Sequence, residues 1–387
     1  MAGLATAVLL VLAGAALALG AVIVLGRAVR RTREARQARL AAPGRRVLLS
    51  LAAGDDEPEN QQTLVRLEPA AWRAIEPTAV ALLGKVRGES HAALVSVFEQ
   101  RGMGERALDD VRGRGAMRRA RAAEVLGNLG RRDAVPLLVS LLGDRDPDVR
   151  AVAARALGRI ADPAAAAALL DSLAGRRPIP PQVVADAVMR MGAGTLEALT
   201  AALDHDAELV RATSVEVLGL IGAITAAARV IDTLDTDPSP EVRERAAAAL
   251  GRLGTRSALA PLLAAVAPEN PPGLRARAAH ALGDLGAVAA APALDALLAD
   301  PQHEVAHATA HALLRLGPAG REVLEQAVAT GPDPSPGRHA AARTDGLSVA
   351  AERAARYAWE ALAVAEVDER RRDGAPARSE QPTAVGR

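Results

Sequence analysis

The sequence predicts an all-α protein, an α-solenoid of stacked helical hairpins preceded by one transmembrane helix. A Leu-Gly-type element recurs with steps of 31, 32, 29, 32, 32 and 31 residues, and a fixed period in this range is typical of stacked repeats. Each copy lies among apolar residues at helical spacing, and residues 2–26 form an uncharged N-terminal stretch. The core residues of the element are Leu126, Leu157, Met189, Leu218, Leu250, Leu282 and Leu313.

Composition and charge argue against several classes of function. Half of the 387 residues are hydrophobic but only 1% are aromatic, so Ala, Leu and Val must build the core. There is no cysteine, which excludes disulfides and thiol chemistry. Eight arginines against one glutamate give residues 27–46 a local charge of +7, leaving −6 for the remainder of a chain whose formal charge is +1. A body of that charge with so few aromatic residues argues against nucleic-acid binding.

The N-terminal stretch predicts a membrane anchor at residues 1–26. About 20 apolar residues suffice to span a bilayer, and the arginines that follow favour a cytoplasmic body with the N-terminus outside. The alternative, a cleaved signal peptide, requires a positive region before the apolar run, whereas the charge here follows it. We expect a single-pass protein of the inner (plasma) membrane.

The segment between the anchor and the repeats predicts a linker and then a cap. Residues 27–66 are the arginine-rich juxtamembrane segment and a polar linker without helical periodicity. Residues 67–114 carry two helical patterns, Glu68–Lys85 and Ser90–Arg101, and a short partner helix before Gly113. An end repeat needs its own outer face, so we expect these helices to cap the array.

The repeat array is predicted over residues 115–330. Its units begin at turns such as Asp237-Pro238, where Asp suits an N-cap and Pro the first helical turn. A first helix with apolar residues at i, i+4, i+7 and i+8 then stops at a glycine. A second helix, such as Ser257–Val266, packs back on the first.

One basic residue per repeat forms a predicted structural ladder, seven residues before the core position. An arginine there can reach acidic or carbonyl groups of the adjoining repeat by forked hydrogen bonds, and Asp148, Glu208 and Glu241 lie two or three residues earlier. The pattern lapses at Gln182 and Ala306. The ladder residues are Arg119, Arg150, Arg211, Arg243 and Arg275.

Two irregularities interrupt the array. The unit around Pro178–Met191 contains the run PIPP and is short, which predicts a kink. After the last repeat, residues 331–346 read as a Pro/Gly linker and 347–367 as a C-terminal capping helix. Residues 368–387 read as a disordered tail.

The repeats DPDVRAVAARALGRIADPAAAAALL (146–170) and DPSPEVRERAAAALGRLGTRSALAPLL (237–263) resemble HEAT repeats of the short phycobilisome-lyase-like type. This resemblance implies a binding scaffold, because only a few proteins with such repeats are enzymes. Bilin lyases share the repeat type, but no bilin site is marked in this sequence. Deoxyhypusine hydroxylase is similar in holding iron by His-Glu pairs on several repeats, whereas a single pair, His303-Glu304, occurs here.

The segment HEVAH at 303–307 is a formal zinc-binding pattern. On a helix, His303 and His307 would share a face as metal ligands, with Glu304 as general base. Aligned with Pro240–Glu244 of the preceding repeats, however, the same residues start an ordinary first helix. We therefore predict no metal, no cofactor and no enzymatic activity, and keep a membrane-tethered metalloenzyme as the alternative.

The function predicted is that of a membrane-anchored scaffold that binds a partner protein, for example a membrane enzyme or a signalling protein. The second helices are apolar with isolated charges and would line the concave side of the array, where a partner segment can dock. The predicted partner-binding residues are Asp171, Glu197, Arg229, Asp232 and Asp295.

Overall fold

A computed structural model describes most of the chain, and every regular element in its described residues is a helix. Nearly all of the predicted anchor, residues 2–26, lies outside the described residues, so the anchor stays a prediction. Among the residues described, no helix combines the length and apolar character needed to cross a bilayer. The described residues are 20, 24, 27, 31–32, 35–55, 57–331 and 346–372.

The helices follow the predicted hairpin pattern, in which each repeat has a first (A) and a second (B) helix. Before the repeats come α1 (35–52), α2 (Pro58–Arg66), α3 (Pro69–Leu83), α4 (Gly88–Gln100) and α5 (Met103–Asp110). The A helices are α6 (Ala116–Leu129), α8 (Pro147–Ile160), α10 (Pro181–Met191), α12 (Glu208–Leu220), α14 (Pro240–Leu253), α16 (Pro272–Asp284) and α18 (His303–Arg315). The B helices are α7 (Val135–Leu141), α9 (Ala166–Asp171), α11 (Leu196–Ala201), α13 (Ala227–Thr236), α15 (Leu259–Ala265), α17 (Ala291–Leu297) and α19 (Pro318–Thr330), and α20 (Gly346–Arg372) follows.

The chain divides into two compact units, Met1–Leu138 and Val139–Arg387. The first has its core around the edge-to-face pair Trp72 and Phe98, whose ring centroids lie 5.5 Å apart. The guanidinium of Arg101 lies 4.3 Å from the centroid of the Trp72 ring, close enough for a cation–π contact.

The predicted linker before residue 67 is wrong as to secondary structure, because residues 43–52 and Pro58–Arg66 are helical. Of the polar run GDDEPENQQ, residues 58–62 form the start of α2, and 54, 55 and 57 lie outside any helix. Leu48, Leu51 and Leu64 are fully buried. Arg101 donates hydrogen bonds to the carbonyls of Leu64, Val65 and Leu67, which satisfies the C-terminal end of α2.

Of the predicted aspartate caps Asp146, Asp237 and Asp300, only Asp146 caps its helix. The Asp146 carboxylate caps α8 by accepting from the backbone N–H of Asp148 and Val149. In α14 the cap is Ser239 rather than Asp237, since Asp237 is engaged elsewhere. Gly254 ends α14 with a φ of 66°, a left-handed conformation that favours glycine.

The glycine after the core leucine lets neighbouring A helices approach closely. A Cβ atom added at Gly251 would lie 2.8 Å from the Cα of Ala281 on the next A helix. The same relation joins Gly158 to Ala187, Gly219 to Ala249 and Gly283 to Ala312. A glycine in mid-helix lowers helix stability by about 1 kcal/mol relative to alanine, so its recurrence here reflects packing between repeats.

The C-terminal helix α20 packs on α18 and α19. It runs to Arg372, five residues beyond the predicted end, so the expectation of a disordered tail from 368 is wrong for 368–372. Arg321 of α19 pairs with Glu369, and Arg370 pairs with Glu366 one turn earlier, which holds this last turn helical. Residues 332–345 and 373–387, where the Pro/Gly linker and the rest of the tail were predicted, lie outside the described residues.

Candidate functional site: the ladder and a cleft on the B-helix side

The ladder arginines stabilise the turns between repeats. Arg211 donates from Nη1 to the carbonyls of His205 and Asp206, in the turn before its own helix. Its Nε and Nη2 donate to the Asp237 carboxylate at 2.7 and 3.0 Å. That pair joins two successive repeats, and its hydrogen bonds raise the pKa of the Arg211 guanidinium.

Arg275 repeats this geometry two periods further along. Its Nη1 donates to the carbonyls of Pro268 and Asn270, and its Nε and Nη2 hold the Asp300 carboxylate. The side chains of Arg275 and Asp300 are 8% and 9% exposed. A forked, buried pair of this kind fixes both distance and orientation between repeats.

The other ladder residues vary the same arrangement. Arg243 reaches the next repeat through the side-chain oxygen of Asn270 and donates from Nε to the Leu234 carbonyl. Arg119 donates to the carbonyls of Gly113 and Arg114. Arg150 donates from Nη1 to the carbonyls of Asp144 and Arg145.

The acidic partners differ from those the sequence suggested. Glu241 pairs with Arg245 on its own helix, and Glu208 accepts a hydrogen bond from Ser239. The ladder carboxylates come instead from the turn of the following repeat, 25 or 26 residues after the arginine. The sequence signal for these partners is the recurring Asp-Pro turn, which by itself predicts only a helix cap.

The five predicted partner-binding residues lie on B helices, and the structure brings some of them together. Arg229 donates to the Asp204 carboxylate at 2.7 Å, and its Nη1 lies 4.0 Å from Asp232. Asp171 is exposed, with Oδ1 3.9 Å from Nε2 of His205. Glu197 and Asp295 are exposed as well, but no contact joins them to this group.

Of the predicted binding residues, Arg229 and Asp232 line a cleft of about 420 Å³ between the turn before α12 and helix α13, together with Asp204 and His205. Four aspartates and two arginines line it, so the cleft carries net negative charge. Asp204 and Asp232 are open to solvent, with side chains 74% and 67% exposed. Such a rim can receive cationic groups, whereas Asp237 is already held by Arg211. The lining residues are Leu203, Asp204, His205, Asp206, Arg211, Arg229, Asp232, Thr233, Thr236, Asp237 and Pro238.

The HEVAH segment starts α18, as its alignment with the other repeats predicted. Nδ1 of His303 lies 2.6 Å from the hydroxyl of Tyr357 on α20. The ring centroid of His307 lies 5.6 Å from that of His303 and 4.5 Å from that of His311. No group of three or more His, Cys, Asp or Glu within the described part of the chain is arranged to hold a metal ion.

A second cleft, of about 390 Å³, lies on the A-helix side between α16 and α18. Burial, and next the charge of Arg315, lowers the pKa of His280, and burial together with His307 lowers the pKa of His311. On α14, burial raises the pKa of Glu244. The cleft is lined by Ala276, Arg277, His280, Glu304, His307, Ala308, His311 and Arg315.

Comparison with known proteins bears on the fold. The family model described as HEAT repeats matches residues 116–189 and 227–314. Comparison with curated protein sequences gives no match. A mutant of Kap121p is 14% identical with a TM-score of 0.48, over 81% of this chain and 39% of that one, so this chain spans about two fifths of its length.

Two further solved structures are covered almost entirely. The CpcE–CpcF complex of phycocyanin lyase from Nostoc sp. PCC7120 is 24% identical, with a TM-score of 0.31, over 57% of this chain and 92% of that one. Human deoxyhypusine hydroxylase in complex with glycerol is 22% identical, with a TM-score of 0.29, over 73% and 98%. At these scores none of the three carries an argument about function. Helical hairpins recur through the residues that the HEAT-repeat model matches, and the described residues form an all-helical, solenoid-like fold.

Proposed function

We propose that this protein is a HEAT-repeat scaffold that binds a partner protein through the B-helix side of its second unit. It acts by binding and not by catalysis. The observation that carries the proposal is the acidic cleft, because it gathers Arg229 and Asp232, which the sequence already selected, with Asp204 and His205. The repeats resemble the phycobilisome-lyase-like type in sequence, and we propose no lyase activity from that resemblance.

The chemistry of the cleft favours a basic partner segment. Arg229 occupies the centre by pairing with Asp204, while Asp206 and Asp232 are exposed beside it. An incoming lysine or arginine would find carboxylates without first breaking the buried Arg211–Asp237 pair. Complementary charge of this kind speeds association and selects among partners.

The test is charge reversal at the rim of the cleft, with Asp204→Lys and Asp232→Lys combined. Asp235→Lys is the matched control, because Asp235 is exposed on the same helix and does not line the cleft. We expect the double variant to weaken binding of a lysine-rich peptide at least tenfold, and to lose a partner that in-cell crosslinking captures with the wild type and the control. Equal capture by all three proteins would contradict the cleft assignment.

We further propose that residues 2–26 anchor this scaffold in the inner membrane with the repeats in the cytoplasm. The supports are the uncharged length of that stretch and the arginines that follow it. Deleting residues 2–26 should move the protein from the membrane to the soluble fraction and leave peptide binding unchanged. Membrane association that survives the deletion would exclude this anchor. Stoichiometric zinc or iron in the purified protein would instead favour the metalloenzyme alternative at His303 and His307.

A further inference from the structure

At Arg150 the ladder has neither a carboxylate nor an amide oxygen of the next repeat as partner among the described residues. Arg150 donates from Nη1 to the carbonyls of Asp144 and Arg145, as Arg211 does to the turn before its helix. In Arg211 and Arg275 the remaining edge, Nε and Nη2, holds an aspartate of the next repeat. In Arg150 the Nε atom is buried and has no hydrogen-bond partner among the residues that the structure describes, and the residue as a whole is 8% exposed.

The following turn explains the missing partner. The positions 25 and 26 residues after Arg150 are Gly175 and Arg176, and Arg177 follows. Arg176 and Arg177 are both exposed, and no hydrogen bond or ion pair of their side chains occurs within the part of the chain that the structure describes. A turn that supplies an anion elsewhere in the array therefore supplies two cations here.

A buried guanidinium edge without a partner is unfavourable, because the lost hydration is not replaced. The edge has the spacing of a carboxylate fork, since the equivalent atoms of Arg211 bind Asp237 at 2.7 and 3.0 Å. Planar, bidentate recognition of this type favours a carboxylate over a single water. Arg176 and Arg177 add long-range attraction for an anion at the same turn.

We propose that the edge of Arg150, together with Arg176 and Arg177, is a binding site for a carboxylate side chain of an acidic segment in a partner protein. The equivalent turn two periods along, at Arg211 and Asp237, lines the acidic cleft, so by repeat equivalence the two sites lie on corresponding positions of A–B units that one further unit, α10–α11, separates. The inference rests on the proposed function in one respect, that the ligand is a protein segment. It adds that this segment or its neighbour carries negative charge.

The test supplies the missing carboxylate by substitution. Arg176→Asp places an aspartate 26 residues after Arg150, as Asp237 stands to Arg211. The full-length protein in detergent is titrated with a fluorescent glutamate-rich octapeptide, and binding is followed by anisotropy. We expect the wild type to bind the peptide and Arg176→Asp to bind it about tenfold more weakly, the loss of one charge-assisted contact. The same variant should have a raised melting temperature, because the internal carboxylate fills the site.

Two controls separate filling of the site from a general change of charge. Arg155→Glu makes the same charge change at an exposed position of α8 and should leave binding within about threefold. Arg176→Asn removes the arginine without adding an anion, and should not raise the melting temperature. Equal weakening by Arg155→Glu, or a melting temperature of Arg176→Asp at or below that of Arg176→Asn, would overturn the proposal. Lysine-rich peptide binding at the acidic cleft is measured in parallel, so failure of either site is recognised separately.

Discussion

At the scale of single residues, burial decides which ion pairs stabilise the array. Arg275 and Asp300 are both nine-tenths buried, whereas Arg229 and Asp204 are 41% and 74% exposed. Removing one member of a buried pair leaves the other charge without compensation, which costs about 3–5 kcal/mol. Exposed pairs contribute about 1 kcal/mol or less, since water and salt screen them.

We therefore expect Arg275→Gln to lower the free energy of unfolding by about 3 kcal/mol or more, and Arg229→Gln to lower it by less than about 1 kcal/mol. Urea unfolding followed by circular dichroism measures both. Because the contact of Arg275 is specific to Asp300, the double variant with Asp300→Asn should lose less than the two single changes combined. Additive losses would show that Arg275 acts through its backbone carbonyl contacts alone.

At the scale of helices, the close approach of neighbouring A helices depends on the absence of a Cβ atom at the glycine between them. A Cβ at Gly251 would lie 2.8 Å from Cα and 2.9 Å from Cβ of Ala281. Gly251→Val should therefore force α14 and α16 apart and destabilise the protein by about 1–3 kcal/mol, the usual effect of overpacking. Valine is chosen because alanine would regain about 1 kcal/mol of helix propensity.

Arg252→Val is the matched control for that substitution. Arg252 is the next residue of α14 and is exposed, so valine there brings the same β-branched helix penalty without a clash. We expect the melting temperature to fall clearly for Gly251→Val and little for Arg252→Val. Similar losses in both would mean that helix propensity, and not packing against Ala281, explains the effect.

The elements that sequence predicted well are those whose signals are local. The period, the Asp-Pro turns and the terminal glycines located the A helices, because caps and apolar spacing act within one turn. Helix α2 was missed because its C-terminal carbonyls are bound by Arg101, 34 to 37 residues further along the chain. The end of α20 was missed for the same reason, since Arg321 contacts Glu369 across 48 residues.

The candidate site was predictable to a similar degree. Isolated charges on apolar B helices pointed to Arg229 and Asp232, and both line one cleft. Their role in partner binding stays a prediction. Asp204 and His205 were missed because they lie in the turn before α12, where polar residues need no special explanation. The carboxylates of Asp237 and Asp300 were likewise read as helix caps. Only the distances to Arg211 and Arg275 reveal that they join repeats.

At the scale of the whole array, stability in a solenoid is close to a sum of repeat and interface contributions. Two devices strengthen the interfaces of the second unit, the ladder pair and the glycine–alanine approach. Around α10 both are reduced. Gln182 replaces the ladder arginine, and Arg190 follows Met189 where five other repeats have glycine. Arg150 has no carboxylate from the turn before α10 among the described residues.

We expect the array to open locally at α10 before it opens at α14. Backbone amides of α10 should therefore exchange with deuterium faster than those of α14, whose repeat has both Arg243 and Gly251 in place. Mass spectrometry of peptides covering 181–191 and 240–253 measures the difference. Arg176→Asp should slow exchange in the first peptide and leave the second unchanged, because it adds a carboxylate only beside Arg150. Equal exchange in the two wild-type peptides would mean that the buried Val184, Ala187 and Val188 hold α10 without either device.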